Sequence, residues 1–553
     1  GASYEIDQSI RFNDDDSAYL ENANYSSSPT SGTDCTFSFW VKRCRLGATQ
    51  ICIYGGDASG STYEGIRFDS DDQFRVFQAS SAYDIISTQV FRDVSAWSHF
   101  VVAFNTDDST AADRIKIYHN GSRITDFSLQ TNPSSGYVTN FNTGGSGEAI
   151  QIGREGGNSQ FLDGYMAEIV FIDGQALTPA SFGETNDDGV WIPKNSSSLT
   201  FGTNGYYLKG QDSSALGDDT SGNGNDFTSS GLAAADQMSD SPTNNHCTLN
   251  PLWVDGHTLS DGNLVASAAA DSAAIGTMAF DPTDSAGFYF EAKVTTAATY
   301  PNVGIRTIES PSQVGAVTSL SGNSTGRFSF TGSNGQFSDA GSGSSYGSAW
   351  AGTADKVIGV LVKAGALYFS IDGTIQNSGT AAKTGLTGLM LPTVFYDAGS
   401  GTTASWEMRF DASDWSTTPS GYKAITTDNL ATPSIKDGSE YFHSQLYTGN
   451  GSSGLAITND ANAGDFEPDL LIIAPRSNGD NKVWLDDVRG TTKRIKSNSA
   501  DPGDTDSPAQ ITFESDGFDL DTTDVNFNGS GRTYVAWQWK KGATPGFDIV
   551  EYT

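Results

Sequence analysis

Residues 356–374, KVIGVLVKAGALYFSIDGT, limit the fold of this chain more than any other stretch. The apolar run 357–362 holds one glycine and reads as a strand covered on both faces. Lys363-Ala364-Gly365-Ala366 forms a four-residue turn. Residues 367–371 supply a second apolar and aromatic strand, and Asp372-Gly373 is a second turn signal. The same design recurs at 114–118 (RIKIY) before Asn120-Gly121 and Arg123-Ile124, and the strand pattern returns at 469–474 (DLLIIA) and 533–539 (TYVAWQW). Long windows of 3.6-residue periodicity are missing, while turn signals return roughly every 8–12 residues. The expected class is all-β, built as tandem antiparallel β-sandwiches.

A chain of 553 residues is too long for one core, so about three domains are expected. Aromatics at 11% are enough to fill several sheet-on-sheet cores. The net charge of −35 repels phosphate backbones and anionic lipid, which argues against a nucleic-acid partner and against membrane insertion. No apolar run reaches the roughly 18 residues of a transmembrane helix. No signal peptide is visible, and the start at Gly1 rather than Met is read as processing or a fragment. Cys35, Cys44, Cys52 and Cys247 match no zinc spacing. Buried thiols are expected, with a Cys44–Cys52 hairpin bridge as the alternative.

In chain order, residues 1–193 form a first unit. Within 35–42 (CTFSFWVK), Phe37 and Phe39 fall on one side of the strand and Trp40 on the other. The succession FSFWVKR, WSHFVVAF, KIYHNGSRI and GYMAEIVFIDGQALTPASF resembles the laminin-G/concanavalin A-like jelly roll, in the variant common in phage tail-fibre and virion proteins. Residues 194–250 are a connector with an added edge strand at 205–208 (GYYL). Residues 251–432 resemble a SPRY β-sandwich: GFYFEAKV, then VIGVLVK…LYFSIDGT, then LPTVFY stand in family order. Lys363 departs from the acidic residue often found after that strand, which bears on contacts of the turn rather than on the fold. Residues 433–545 resemble a small β domain of phage tail proteins. Residues 546–553 (GFDIVEYT) echo 440–449 (EYFHSQLYTG), so a further repeat is expected to begin near Gly546 and to run past Thr553.

Chemistry-bearing patterns are few. A jelly-roll glycosidase would carry a Glu-x-Asp-x-x-Glu run, yet Glu5-Ile6-Asp7 is followed by Ile10. Gly343-Ser344-Ser345-Tyr346-Gly347 satisfies G-x-S-x-G but lies in a Gly/Ser-rich loop without a strand-to-helix elbow. His99, His119, His246, His257 and His443 are scattered, and His99 reads as a satisfied core or edge histidine. No catalytic residues are assigned. Asp219, Ser221, Asn223, Asn225 and Asp226 put oxygen donors on a glycine-rich loop, the ligand type of calcium. An Asx-rich turn closed by its own backbone hydrogen bonds is the alternative. Loop aromatics suit sugars, since a ring covers the apolar face of a pyranose while Asp and Asn bond its hydroxyls. Tyr54, Tyr63, Tyr83, Trp350 and Trp415 are the candidates, although such rings are often core in sandwiches.

The resemblance implies a non-enzymatic phage virion adhesin, a tail fibre or similar protein. It would bind a host cell-surface glycan or protein receptor and other virion proteins, as a homo-oligomer that is a trimer by family analogy. A structural virion protein, such as a capsid decoration or tail accessory, is the first alternative. A polysaccharide-degrading enzyme is the second.

Overall fold

The structure, a computed structural model, describes residues 4–26, 28–57, 62–143, 148–269, 272–308, 326–396, 403–459, 464–500 and 503–552. Among them strands dominate, and the one α-helical turn is Val525–Asn528. The chain separates into two compact units. One comprises Gly1–Glu184 and Ile192–Leu430, and the other comprises Thr185–Trp191 and Ala431–Thr553.

The first unit holds two sandwiches. In the first of them, two eight-stranded antiparallel sheets face each other. The central strands Asp34–Arg43, Ser98–Asn105 and Gly164–Asp173 alternate as expected: Phe37, Phe39, Phe100, Val102 and Phe171 enter the shared core. Trp40 points the other way and stacks on His99 across the strand pair at 4.8 Å. The segment between the sandwiches supplies three strands to these sheets. Tyr206–Leu208 pairs with Gly164–Asp173, Thr228–Ser230 with Tyr19–Asn22, and Gln237–Met238 with Ser9–Phe12. Leu216 and Phe227 drop into the same core, which explains why this polar stretch is held down. All four cysteines are buried and free.

The second sandwich pairs two seven-stranded sheets. Its organising hairpin joins Lys356–Lys363 to Ala366–Ile371. The turn is shorter than the sequence suggests. Pairing continues to Lys363 and Ala366, leaving only Ala364 (φ 49°) and Gly365 (φ 78°) as a two-residue loop. Two successive positive φ values match the right-handed twist of the flanking strands, so the ladder runs to the end. The strand is covered on both faces: Ile358, Val360 and Val362 enter the main core, while Leu361 joins an outer cluster with Tyr289 and Trp415.

In the second unit a six-stranded sheet faces a three-stranded one. Tyr534, Ala536, Leu471, Ile473, Val483 and Leu485 form the core with Ile457, Phe518 and Leu520. The register sets the residues between them on the opposite face. Trp537 lies opposite Ile472, Ile472 opposite Trp484, and Trp484 opposite Ile495. The next row places Phe442 opposite Trp539 and Trp539 opposite Leu470. No helix among the described residues is long and apolar enough to cross a membrane.

Candidate functional site

The expectation of solvent-facing rings is corrected at four of five positions. Tyr54, Tyr83, Trp350 and Trp415 are only 1%, 0%, 3% and 9% exposed. Tyr83 packs edge-on against Phe104 and Tyr137. Trp350 lies against Phe330, and Trp415 meets Tyr289 edge-on at 4.7 Å. Each sandwich buries these rings in its core or in a second apolar layer outside a sheet, a layer that pattern reading does not reveal. Tyr63 alone keeps partial exposure, stacked on Tyr54 at 5.2 Å. The five are not brought together.

The loop at 219–226 closes on itself. The Asp219 carboxylate accepts from the backbone N–H of Tyr207, Ser221 and Asn225 and from the Ser221 hydroxyl, at 2.7–2.9 Å. Asp226 accepts from the Asp219 N–H, and the amides of Asn223 and Asn225 donate to the Gly205 carbonyl. The five residues do converge, and the Asp219 carboxylate, one Asp226 oxygen and the Ser221 hydroxyl are engaged by donors of the loop and by the Tyr207 N–H. Among the described residues no three His, Cys, Asp or Glu side chains are grouped to hold a metal ion. The G-x-S-x-G motif lies at the exposed strand Ser342–Ser345, paired to Gln336–Asp339, and not at an elbow.

A groove opens instead at one end of the first sandwich. It is built by a hairpin whose two central residues, Asn120 (φ 45°) and Gly121 (φ 83°), turn the chain from Ile115–His119 into Ser122–Arg123. The Asn120 side-chain oxygen accepts from the His99 N–H at 2.8 Å and ties the hairpin back. A recess of about 240 Å³ lies beside it. Behind it, sealed in the core at 0%, 7% and 0% exposure, stand Phe68, Phe91 and Phe100, with the Arg43 guanidinium over the Phe68 ring at 4.3 Å. Its rim carries Gln89, Arg92, Asp93, Ser98, His119 and Asn120. Past Gln89, His119 and Asn120 it continues as a shallower trough of about 620 Å³ edged by Ser122, Arg123 and Asp126. His119 packs against Phe91 and Phe100 at 4.9 and 5.1 Å and lies 3.2 Å from the Ser98 hydroxyl. Burial pushes its imidazole down to about 4, so it is neutral at pH 7. A ring of amide, hydroxyl and carboxylate groups around the recess suits a polyhydroxylated ligand. Sequence reading missed this site because it marks Asn120 only as a turn residue, and Gln89 and Ser98 carry no local signal. They meet only through the fold.

A second cleft, of about 780 Å³, lies between the two sandwiches of the first unit, where Arg11, Asp261, Arg409 and Asp414 line it. Arg11 bonds Asp236 at 2.9 Å, and the Tyr165 hydroxyl donates to the Gly262 carbonyl at 2.6 Å. Deeper, the Lys42 ammonium donates to Asp240, Asn245 and the His246 carbonyl at 2.7–2.8 Å. Trp97, which borders the groove, donates its indole N–H to the same Asp240 at 2.9 Å.

A buried carboxyl inside the first sandwich is structural. Glu64 is sealed in the core, accepting from the Tyr137 hydroxyl at 2.7 Å and the Phe141 N–H at 3.2 Å. Burial raises its carboxyl from the ordinary 4.5 to about 7. Between those values the folded chain holds a proton that the unfolded chain has released. Stability that is present below pH 4.5 is therefore lost as pH rises to 7, by about 3 kcal/mol. Glu64→Gln should remove this dependence. Chemical denaturation at pH 4.5 and pH 7 tests it, and an unchanged pH slope in the variant would refute it.

Two family models match parts of the chain. Residues 13–181 match the family model of the concanavalin A-like lectin/glucanases superfamily. Residues 437–553 match a domain of unknown function, DUF7483. No curated protein matches the chain. Among solved structures, the SPRY domain of human HERC1 is 9% identical, covers 29% of this chain and 96% of its own, and has a TM-score of 0.24. A heptameric SAP-like pentraxin from Limulus polyphemus is 16% identical, with coverage of 32% and 80% and a TM-score of 0.24. A Bacteroides ovatus protein proposed to bind carbohydrate is 16% identical, with coverage of 41% and 58% and a TM-score of 0.28.

Proposed function

We propose that the chain is a non-enzymatic attachment protein of a phage particle, a tail fibre or similar adhesin, that holds a host surface glycan in the groove beside Asn120. The carrying observation is the groove itself, with Gln89, Asp93, Ser98 and Asn120 around its mouth. The match of residues 13–181 to a lectin and glucanase superfamily supports a sugar as the ligand class. The particle assignment rests on the tail-fibre resemblance of the strand order described above. A shallow groove gives weak binding at each site, and several linked copies raise the overall strength through effective concentration.

Binding to an array of bacterial surface oligosaccharides tests the ligand class. Gln89 is exposed at the mouth. Gln89→Ala should weaken a positive hit by about 1 kcal/mol, roughly fivefold in Kd. Gln89→Trp should block it. Full affinity in the tryptophan variant, or an array without a hit, would reject the groove as the site. Antibody labelling of intact particles by electron microscopy addresses the particle assignment separately, and label absent from the tail would reject that part.

A further inference from the structure

The joint between the two sandwiches of the first unit brings an amine, a side-chain amide and a carboxylate into mutual contact. Lys42 is the one buried lysine among the described residues. Its Nζ donates to Asp240 Oδ2 at 2.8 Å, to Asn245 Oδ1 at 2.7 Å and to the His246 carbonyl at 2.8 Å. A nitrogen 2.7 Å from an amide oxygen lies within about 3.9 Å of the carbon that carries that oxygen. This is close to the separation from which a bond forms. Water is kept away from the amine and the acid. The Lys42 and Asp240 side chains are 0% and 4% exposed, and the buried rings of Trp97 and Tyr165 stand against them.

Each reacting group is held in place. The Asn245 amide Nδ2 donates to the Ser95 carbonyl at 2.6 Å, and its backbone N–H donates to the Thr427 hydroxyl at 2.9 Å. Asp240 Oδ1 accepts from the Trp97 indole at 2.9 Å and from the His246 N–H at 3.2 Å. Groups fixed in this way react as if at very high concentration. An ammonium is no nucleophile, but a base touches this one. Passing a proton from Nζ to Asp240 frees the lone pair and removes two charges from a place that water does not reach.

We propose that the folded chain joins Lys42 to Asn245 by an isopeptide bond, a side-chain amide between Nζ and Cγ, with Asp240 moving the protons. One Nζ proton passes to Asp240 Oδ2. The amine attacks Asn245 Cγ, and the Nζ–Cγ bond forms. A second Nζ proton is relayed through Asp240 to Nδ2, the Cγ–Nδ2 bond breaks, and ammonia leaves. Asp240 keeps the first proton, so no unpaired charge stays behind. Nothing is oxidised or reduced, and no second molecule takes part. Asn245 is partly exposed, which gives the ammonia a way out. The bond ties the strand Asp34–Arg43 of the first sandwich to the residues just before Cys247 and Leu249, which lie in the core of the second. It closes a long loop and so restricts the unfolded chain. It is independent of the sugar reading.

Intact-mass spectrometry of the full chain tests it. The wild type should weigh about 17 Da less than its sequence requires, the mass of one ammonia. Trypsin should leave the chain uncut after Lys42 and release a branched peptide that joins Lys42 to Asn245. Lys42→Arg, Asn245→Ala and Asp240→Ala should each show the full mass. Lys42→Ala removes the ion pair together with the bond, so the mass, and not the stability, reads the bond. Asn245→Ala changes a partly exposed position, and circular dichroism should show it folded like the wild type. A wild-type chain that keeps its full mass after prolonged incubation would overturn the proposal, whatever the variants do. So would a loss of that size that fragmentation places elsewhere, as in a succinimide at Asn120-Gly121, or one that persists in Asn245→Ala. A cross-linked Asp240→Ala chain would take the acid out of the reaction.

Discussion

Lys42→Ala is expected to destabilise the first unit by about 3–5 kcal/mol, the cost of stripping one partner from a buried ion pair. The Lys42 ammonium is fully buried and spends its hydrogens on Asp240, Asn245 and the His246 carbonyl. Alanine leaves the Asp240 carboxylate, 4% exposed, with the Trp97 indole and the His246 N–H as its remaining donors among the described residues. Because Asp240, Asn245 and His246 lead into the second sandwich, the loss falls on the joint between the two sandwiches. Urea denaturation followed by circular dichroism measures the loss, and limited proteolysis should open new cleavage in the segment around 240–262. Lys42→Met combined with Asp240→Asn should recover part of the stability, since the uncompensated charge is removed. A loss below about 1 kcal/mol for Lys42→Ala would show that the pair is replaced by water at little cost.

Phe100→Ala should cost about 3–5 kcal/mol and also abolish use of the groove. The Phe100 ring stacks on Phe74 at 4.3 Å with 9° between planes, and it meets Phe91 edge-on at 5.0 Å. It also supports His119 at 5.1 Å. Truncation leaves a void under these groups in a packed interior that relaxes only in part. The support behind His119 and the groove then gives way, and oligosaccharide affinity should fall at least about tenfold. Phe100→Leu, which keeps most of the volume, should restore stability to within about 1.5 kcal/mol of wild type while leaving affinity reduced. Undiminished oligosaccharide binding by a folded Phe100→Ala protein would remove the ring from the site.

Much of the fold was legible before any coordinates. The hairpin at 356–374, the division of Phe37 and Phe39 from Trp40, and the core setting of His99 all follow from a period of two and from turn chemistry. The candidate site was not legible in the same way. Tyr83 and Trp350 resemble exposed loop aromatics in sequence, yet each closes a layer that exists only once sheets have packed. Gln89 and Asn120 are ordinary polar residues whose meaning comes from the hairpin that sets them beside Phe91. Lys42 and Asp240 are 198 positions apart, and no local pattern joins them.

The amino-acid order determined which residues alternate, where the chain reverses, and therefore that it builds sandwiches, because side-chain period and turn conformation are properties of a few neighbouring residues. It gave both faces of each strand but not which would be covered. Tertiary structure decided that Tyr54 goes inside while Phe442 and Leu446 stay outside, and that Lys42 meets Asp240. Burial is settled by which distant strand or loop arrives over a face, and that depends on contacts between residues hundreds of positions apart.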